Sequence, residues 1–232
     1  MRFYDCAAKY KHHNVFEKMS ESDIRLLHLE NTERRIPFYP VVTIPKAPIE
    51  MAFIALNAYC GDDYGEAILH PNFTEWCQGR YNSGTKLQEV LSYYAAVCRL
   101  SNLGQGSLYY TNFIKAVLPQ EHFKKASSVK TALRVSPSLK LIFQTLLTEE
   151  IKLLSKSECK VFVGFGQDAS SYFGETIAQN FGGLSNTRYP NIQEFHIEGV
   201  GVCYFVSEIH FSRYEKYETG TLALNLVECL TA

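Results

Sequence analysis

Net charge is nearly missing from this chain: 23 Lys and Arg stand against 24 Asp and Glu, a formal charge of −1 with the histidines neutral. A molecule so balanced exerts no long-range pull on phosphate, so any contact with nucleic acid has to come from a local basic face. Metal-ligand spacing is missing too. The seven cysteines, Cys6, Cys60, Cys77, Cys98, Cys159, Cys203 and Cys229, contain no CxxC pair and no regular interval, which excludes zinc and iron–sulfur frameworks. They read as reduced thiols of an intracellular protein, most of them in apolar stretches. Residues 1–10 are polar and mixed in charge, and no later apolar run is long enough to span a bilayer. These absences predict a cytoplasmic protein, nuclear in a eukaryote, with no metal, organic cofactor or membrane partner. No internal repeat or low-complexity segment is present.

What the sequence does contain is a set of short apolar runs alternating with helical periodicity. The 232 residues fit one α/β domain, with residues 1–50 as a peripheral segment and residues 51–232 as the domain proper. In the peripheral segment, residues 20–29 have helical spacing with Ser20 or Ser22 as cap, and Pro37, Pro40, Pro45 and Pro48 impose an extended path. The pair His12 and His13 suggests metal only superficially. Adjacent side chains diverge on a helix, and no acidic or Cys partner stands nearby. Residues 51–61 form an uncharged run that stops on Asn57 and breaks at Gly61, the pattern of a strand buried on both faces. In open α/β sheets ligands bind beyond the carboxyl ends of such strands, where Asn57, Tyr59, Asp62 and Asp63 would lie.

A polar and aromatic loop over residues 62–81 leads to a helix carrying Leu87, Val90, Leu91, Tyr94 and Cys98 on one face. Residues 107–118 read as the next strand, closed by Pro119. Lys124, Lys125, Lys130, Arg134 and Lys140 form the one local basic surplus, read equally as a solvated face. Leu139, Ile142, Phe143, Leu146, Leu147, Ile151 and Leu154 mark a helix opened by Pro137. Residues 159–166 then make a buried strand ending in Gly164-Phe165-Gly166, and residues 169–181 a helix. That Gly-x-Gly lacks the third glycine and the acidic residue of a dinucleotide site. Residues 193–197 and 202–206 flank Gly199 and Gly201 as a hairpin, and Thr219 is placed to cap a last helix. The order predicts a three-layer α/β/α fold around a central, mostly parallel four-stranded sheet.

Three polar positions fall at strand ends: Asn57, Asn112 and His210. Their contexts are Ala55-Leu56-Asn57-Ala58-Tyr59-Cys60, Tyr109-Tyr110-Thr111-Asn112-Phe113-Ile114-Lys115 and His210-Phe211-Ser212, with Val163-Gly164-Phe165-Gly166-Gln167-Asp168-Ala169 between the last two. In order and context these segments resemble the uracil-DNA glycosylase superfamily, whose first motif takes forms such as GQDPYH or GINPG, whose middle strand carries an Asn, and whose last motif is His-Pro-Ser. The resemblance spans roughly residues 50–230. It implies a similar fold and hydrolysis of the N-glycosidic bond of uracil, or a related damaged base, in DNA by base flipping.

Under the resemblance each residue has a role. His210 would donate to the uracil O2, and the Asn112 amide would read the O4 and N3 edge. Asn57 stands where the fastest branch has a water-activating Asp; an amide positions water but is a negligible base, so slow or narrow activity is expected. Tyr59 coincides with the Tyr of GQDPYH that occupies the space of a thymine methyl. Phe73 leads the candidates to stack on the flipped base, with Trp76 and Tyr81 as alternatives. Ser212, Arg213 and Tyr214 fall in the duplex-probing loop, Arg213 toward phosphate and Tyr214 as a wedge. The chain departs from the family at Ala55, Ala58 and Phe211, which replace a Gly and two Pro. Asp62 and Asp63 are read either as a substitute carboxylate or as solvent-facing turn residues. A rival class is a catalytically silent glycosylase-like fold that binds nucleic acid or a protein; a nucleotide enzyme using the Gly-x-Gly is a third.

Overall fold

Uncharged runs rich in β-branched and aromatic residues form the centre of the molecule, because only chains with no charge to solvate tolerate burial on both faces. In the computed structural model these are β2 (Met51–Ala55) and β6 (Val161–Phe165), every residue of both being buried. The structure describes residues 15–30, 41–42, 48–56, 58–60, 82–102, 104, 107–119, 121–123, 125–156, 159–210, 213 and 216–232. The remaining elements, in chain order, are α1 (Glu21–Leu26), β1 (Val41–Val42), β3 (Ala58–Cys60), α2 (Asn82–Leu100), β4 (Leu108–Asn112), β5 (Val117–Pro119), α3 (Ala126–Val135), α4 (Pro137–Ser155), α5 (Gly166–Asn180), β7 (Ser185–Asn186), β8 (Ile192–Ile197), β9 (Gly201–Glu208) and α6 (Lys216–Thr231). A 3-10 turn, Val15–Lys18, precedes α1.

The fold is α/β with a mixed sheet in the order β1-β4-β2-β6-β9-β8-β7. β4, β2, β6 and β9 run parallel to one another, while β1 and the β8–β7 pair add antiparallel strands at the two edges. The expected four-stranded sheet is therefore corrected to one of seven strands among the described residues. β1 and β7 are two residues each, too short to show a period of two, and β8 joins through the hairpin that the Gly199 and Gly201 turn chemistry predicts. A separate two-stranded sheet, β3 with β5, is a further correction. Within the run 51–61 the described residues form two strands, Met51–Ala55 and Ala58–Cys60, and within the stretch 107–118 the strand Leu108–Asn112 stands apart from Val117–Pro119.

Side-chain alternation sends each sheet face to its own helices. On one face Ala52, Ile54, Tyr109, Phe162, Cys203 and Phe205 share a core with Val129 and Leu133 of α3, Phe143 and Leu147 of α4, and Phe173 and Ile177 of α5. Val15, Phe16, Met19, Ile24, Leu27 and Leu29 are buried in that same core, so residues 15–29 are fastened to the domain rather than lying beside it. On the other face Met51, Phe53, Leu108, Val163, Phe165 and Val206 meet Val90, Leu91, Tyr94 and Cys98 of α2 and Leu222 and Leu226 of α6.

Helix starts obey local chemistry. Ser20, not Ser22, caps α1 in a reciprocal capping box with Asp23, and Ser136 caps α4 ahead of Pro137. α6 begins at Lys216, so Thr219 lies inside it and is no cap. Cys98, Cys159 and Cys203 are free and buried. No helix among the described residues is long and apolar enough to cross a membrane.

Candidate functional site at the carboxyl ends of the parallel strands

Strand register lays four residues in one row across the carboxyl end of the sheet. Asn112 of β4 pairs with Ala55 of β2. The β2–β6 register, Ile54 opposite Gly164, sets Phe165 level with Ala55, and Phe165 pairs with Glu208 of β9. Phe165 and its alternates Val161 and Val163 belong to the α2/α6 face, as do Leu108 and Tyr110 of β4. The period of two therefore puts the Asn112 side chain on that face as well, half-buried. Three strand spacings of about 4.8 Å separate the β4 and β9 backbones, roughly 14 Å in all.

Glu208 closes the row. Its carboxylate is buried and accepts from the Tyr94 hydroxyl at 2.7 Å, the Ile209 N–H at 2.9 Å and the Thr219 hydroxyl at 3.3 Å. Burial pushes its pKa above the ordinary carboxylate value, partly offset by these hydrogen bonds. Burial together with the adjacent carboxylate drives the Tyr94 phenol well above its usual value. Glu208 ties α2 and α6 to the strand that delivers His210 two residues later.

His210 lies against Gly166, the first residue of α5. Gly166 has φ +80°, and a Cβ there would come within 3.1 Å of the His210 Cβ. This approach, with the left-handed backbone, explains the second glycine of Gly-x-Gly. The first, Gly164, admits Ser170 of α5, whose hydroxyl donates to the Gly164 carbonyl at 2.8 Å. Packing within the chain thus accounts for both glycines. Burial, and secondarily the Arg213 cation, hold the His210 pKa below its usual value, so the ring is neutral at pH 7. A neutral imidazole still carries one N–H to donate. The His210 carbonyl accepts from the Arg213 N–H at 2.8 Å, and Arg213 itself is exposed. α5 starts at Gly166, directly after β6, so the positive end of its dipole lies at this same edge, without a side-chain cap.

Among the sequence candidates, Asn112 and His210 come to one edge of the sheet, with the Arg213 N–H bonded to the His210 carbonyl. Asn57, Phe73, Ser212 and Tyr214 lie outside the described residues. Tyr59 is placed by its backbone alone, in β3 opposite Leu118. The basic surplus is partly neutralised internally, since Lys130 pairs with Asp168 at 2.9 Å and Lys140 with Glu175 at 2.5 Å.

The residues that sequence reasoning missed are acidic. Glu208 was hidden because β9 runs two residues past Val206. Glu150, 2% exposed, sits on the apolar stripe Phe143, Leu147, Ile151, Leu154 of α4, and a carboxylate on such a stripe is itself a signal that a buried cation must meet it. That cation is Lys115.

Two grooves are bound by described residues. One of about 800 Å³ is lined by Lys152, Asn180, Phe181, Glu194, His196 and Val202 near the β8–β9 hairpin. The other, about 500 Å³, lies between α5 and the β8–β9 pair, with Gln167, Ser170, Asn191, Gln193 and Ser207 among its walls, and reaches Glu208 and Ile209. No protein-family model matches the chain, and no curated protein matches it.

Proposed function

We propose that this protein hydrolyses the N-glycosidic bond of uracil, or of a related damaged base, in DNA, on a uracil-DNA glycosylase-like fold. One observation carries the reading. The four parallel strands stand in the order second, first, third, fourth, and the Asn of the second and the His following the fourth reach the same edge. A separation of about 14 Å between their strands leaves room for two side chains, two hydrogen bonds and one pyrimidine ring.

The chemistry asked of the site is modest. As the C1′–N1 bond breaks, its electron pair leaves with the base, and a hydrogen bond from the neutral His210 ring to O2 stabilises the resulting anion. The Asn112 amide offers a donor to O4 and an acceptor to N3–H, a pairing that cytosine, with N4–H₂ and an unprotonated N3, cannot satisfy. Water adds its oxygen to C1′ of the oxocarbenium-like sugar and releases a proton to solvent. Asn57 would hold that water without deprotonating it.

An oligonucleotide with a single uracil, single- or double-stranded, incubated with the protein and then treated with alkali, tests this. Strand scission is expected for the native protein, abolished by His210→Ala and by Asn112→Ala, and accelerated by Asn57→Asp. No scission at micromolar protein with uracil, hypoxanthine, xanthine or hydroxymethyluracil would refute it. A second reading, a silent nucleic-acid-binding or protein-interaction domain, is favoured by the internal pairing of Lys130 and Lys140 and by the amide at position 57. Salt-dependent binding of uracil or abasic DNA without product would select it.

A further inference from the structure

Behind Asn112, on the opposite face of β4, lies a fully buried charged cluster. Lys115 and Glu150 are 1% and 2% exposed, with Nζ to Oε2 at 2.5 Å. The Lys115 ammonium also donates to the Thr111 hydroxyl at 2.9 Å, and the Tyr109 hydroxyl donates to the second Glu150 oxygen. Removing two charges from water is costly, and well-packed hydrocarbon in their place is often as stable or more so. Stability alone therefore gives little reason for this cluster. What an ion pair supplies and hydrocarbon does not is a fixed distance and direction.

The cluster spends that directionality on one short segment. The Lys115–Thr111 bond closes residues 111–115 into a loop with Asn112 in it. The loop's backbone is pinned on its second side, where the Phe113 and Ile114 N–H groups donate to the Ala55 and Leu56 carbonyls at 2.8 and 2.9 Å. Tyr109 and Thr111 share the α4 face by the period of two, and Asn112 takes the other. The spacing Tyr-x-Thr-Asn-x-x-Lys is the sequence signature of this clamp.

We propose that Thr111, Lys115 and Glu150 are positioning residues that hold the Asn112 amide in one orientation for reading a base edge, an inference that rests on the base-excision reading. Asn112 touches the base and they do not. An amide free to turn would present its donor and acceptor in either order and lose the distinction between uracil and cytosine.

Three variants test it: Thr111→Val, which removes only the hydroxyl; Thr111→Ser, which restores it; and Lys115→Met with Glu150→Met, which avoids leaving one ion buried alone. The side-chain amide of Asn112, identified in ¹⁵N NMR spectra by its loss in Asn112→Asp, is expected as one pair of resonances in the native protein and in Thr111→Ser. In Thr111→Val and in the double variant it is expected to split, broaden or move, with resonances of α2 and α6 unchanged. Single-turnover uracil release should fall about tenfold or more in these two variants, with DNA affinity held within about threefold, because a misoriented group costs rate before it costs binding. An Asn112 resonance and a release rate that stay native in Thr111→Val overturn the proposal, whether or not the double variant folds. Should the native protein release no base, the base-excision reading fails, while the resonance comparison still decides whether the clamp orients Asn112.

Discussion

Gly166→Ala separates the two things that glycine does, and a control exists in the same chain. At Gly166 φ is +80° and the new Cβ would lie 3.1 Å from the His210 Cβ; at Gly182 φ is +83° and no atom of the described residues lies within 4 Å. An L-residue held in the left-handed region costs about 1–2 kcal/mol, and both variants incur it. Only Gly166→Ala must also push His210 away by a few tenths of an ångström, an overpacking term of about 1–3 kcal/mol. With a urea dependence of about 3 kcal/mol per molar for a chain of this size, Gly166→Ala should unfold at a midpoint roughly 0.3–1 M below that of Gly182→Ala. Uracil release should drop in the first variant and persist in the second. Equal midpoints with equal release rates would refute the contact between His210 and the start of α5.

Other consequences follow from the buried carboxylates. Tyr94→Phe deprives Glu208 of its 2.7 Å donor and should cost about 1–3 kcal/mol in chemical denaturation at pH 7. Glu208 binds its proton more tightly folded than unfolded, so its contribution is present below the ordinary value of 4.5 and is lost as pH rises through the folded value; the Tyr94→Phe penalty should therefore be smaller at pH 4 than at pH 7. Asp23 behaves oppositely. Burial acts to raise its pKa, but hydrogen bonds from Ser136 and Ser20 outweigh it and hold it below 3.8, so its contribution is present above that pH and lost as pH falls through the folded value. Thermal melts of Asp23→Asn should show a shallower loss of stability on acidification below pH 4. Ser136→Ala removes both the 2.5 Å bond to Asp23 and the cap on the Leu139 N–H, and should cost about 1–2 kcal/mol in urea.

The parts of the fold that could be read from sequence are those where one periodicity is uninterrupted. The buried run 159–166, the stripe from Leu139 to Leu154, and the glycine turn of the β8–β9 hairpin each encode one element, and the run 51–61 contains β2. α3 escaped because its apolar face is only Val129, Ala132 and Leu133 among Ser, Thr, Lys and Arg, a composition that reads as a basic stretch. β1 and β7 escaped because two residues carry no period, and β3 and β5 read as continuations of β2 and β4 because the runs 51–61 and 107–118 show no break in sequence; the pairing of β1, β3 and β5 is set by chain segments far away. The candidate site divides the same way. Asn112 and His210 stood out as polar residues at strand ends, whereas Glu208 and the Lys115–Glu150 pair acquire meaning only through partners 114 and 35 residues distant in sequence.

The convergence of two distant side chains on one ligand is the claim most open to direct measurement. Titration of ¹⁵N-labelled protein with free uracil, the product of the proposed reaction, should move the Asn112 side-chain amide and the His210 imidazole resonances along saturation curves with one shared dissociation constant. Movement of only one of them, two different constants, or no movement at millimolar uracil would contradict it.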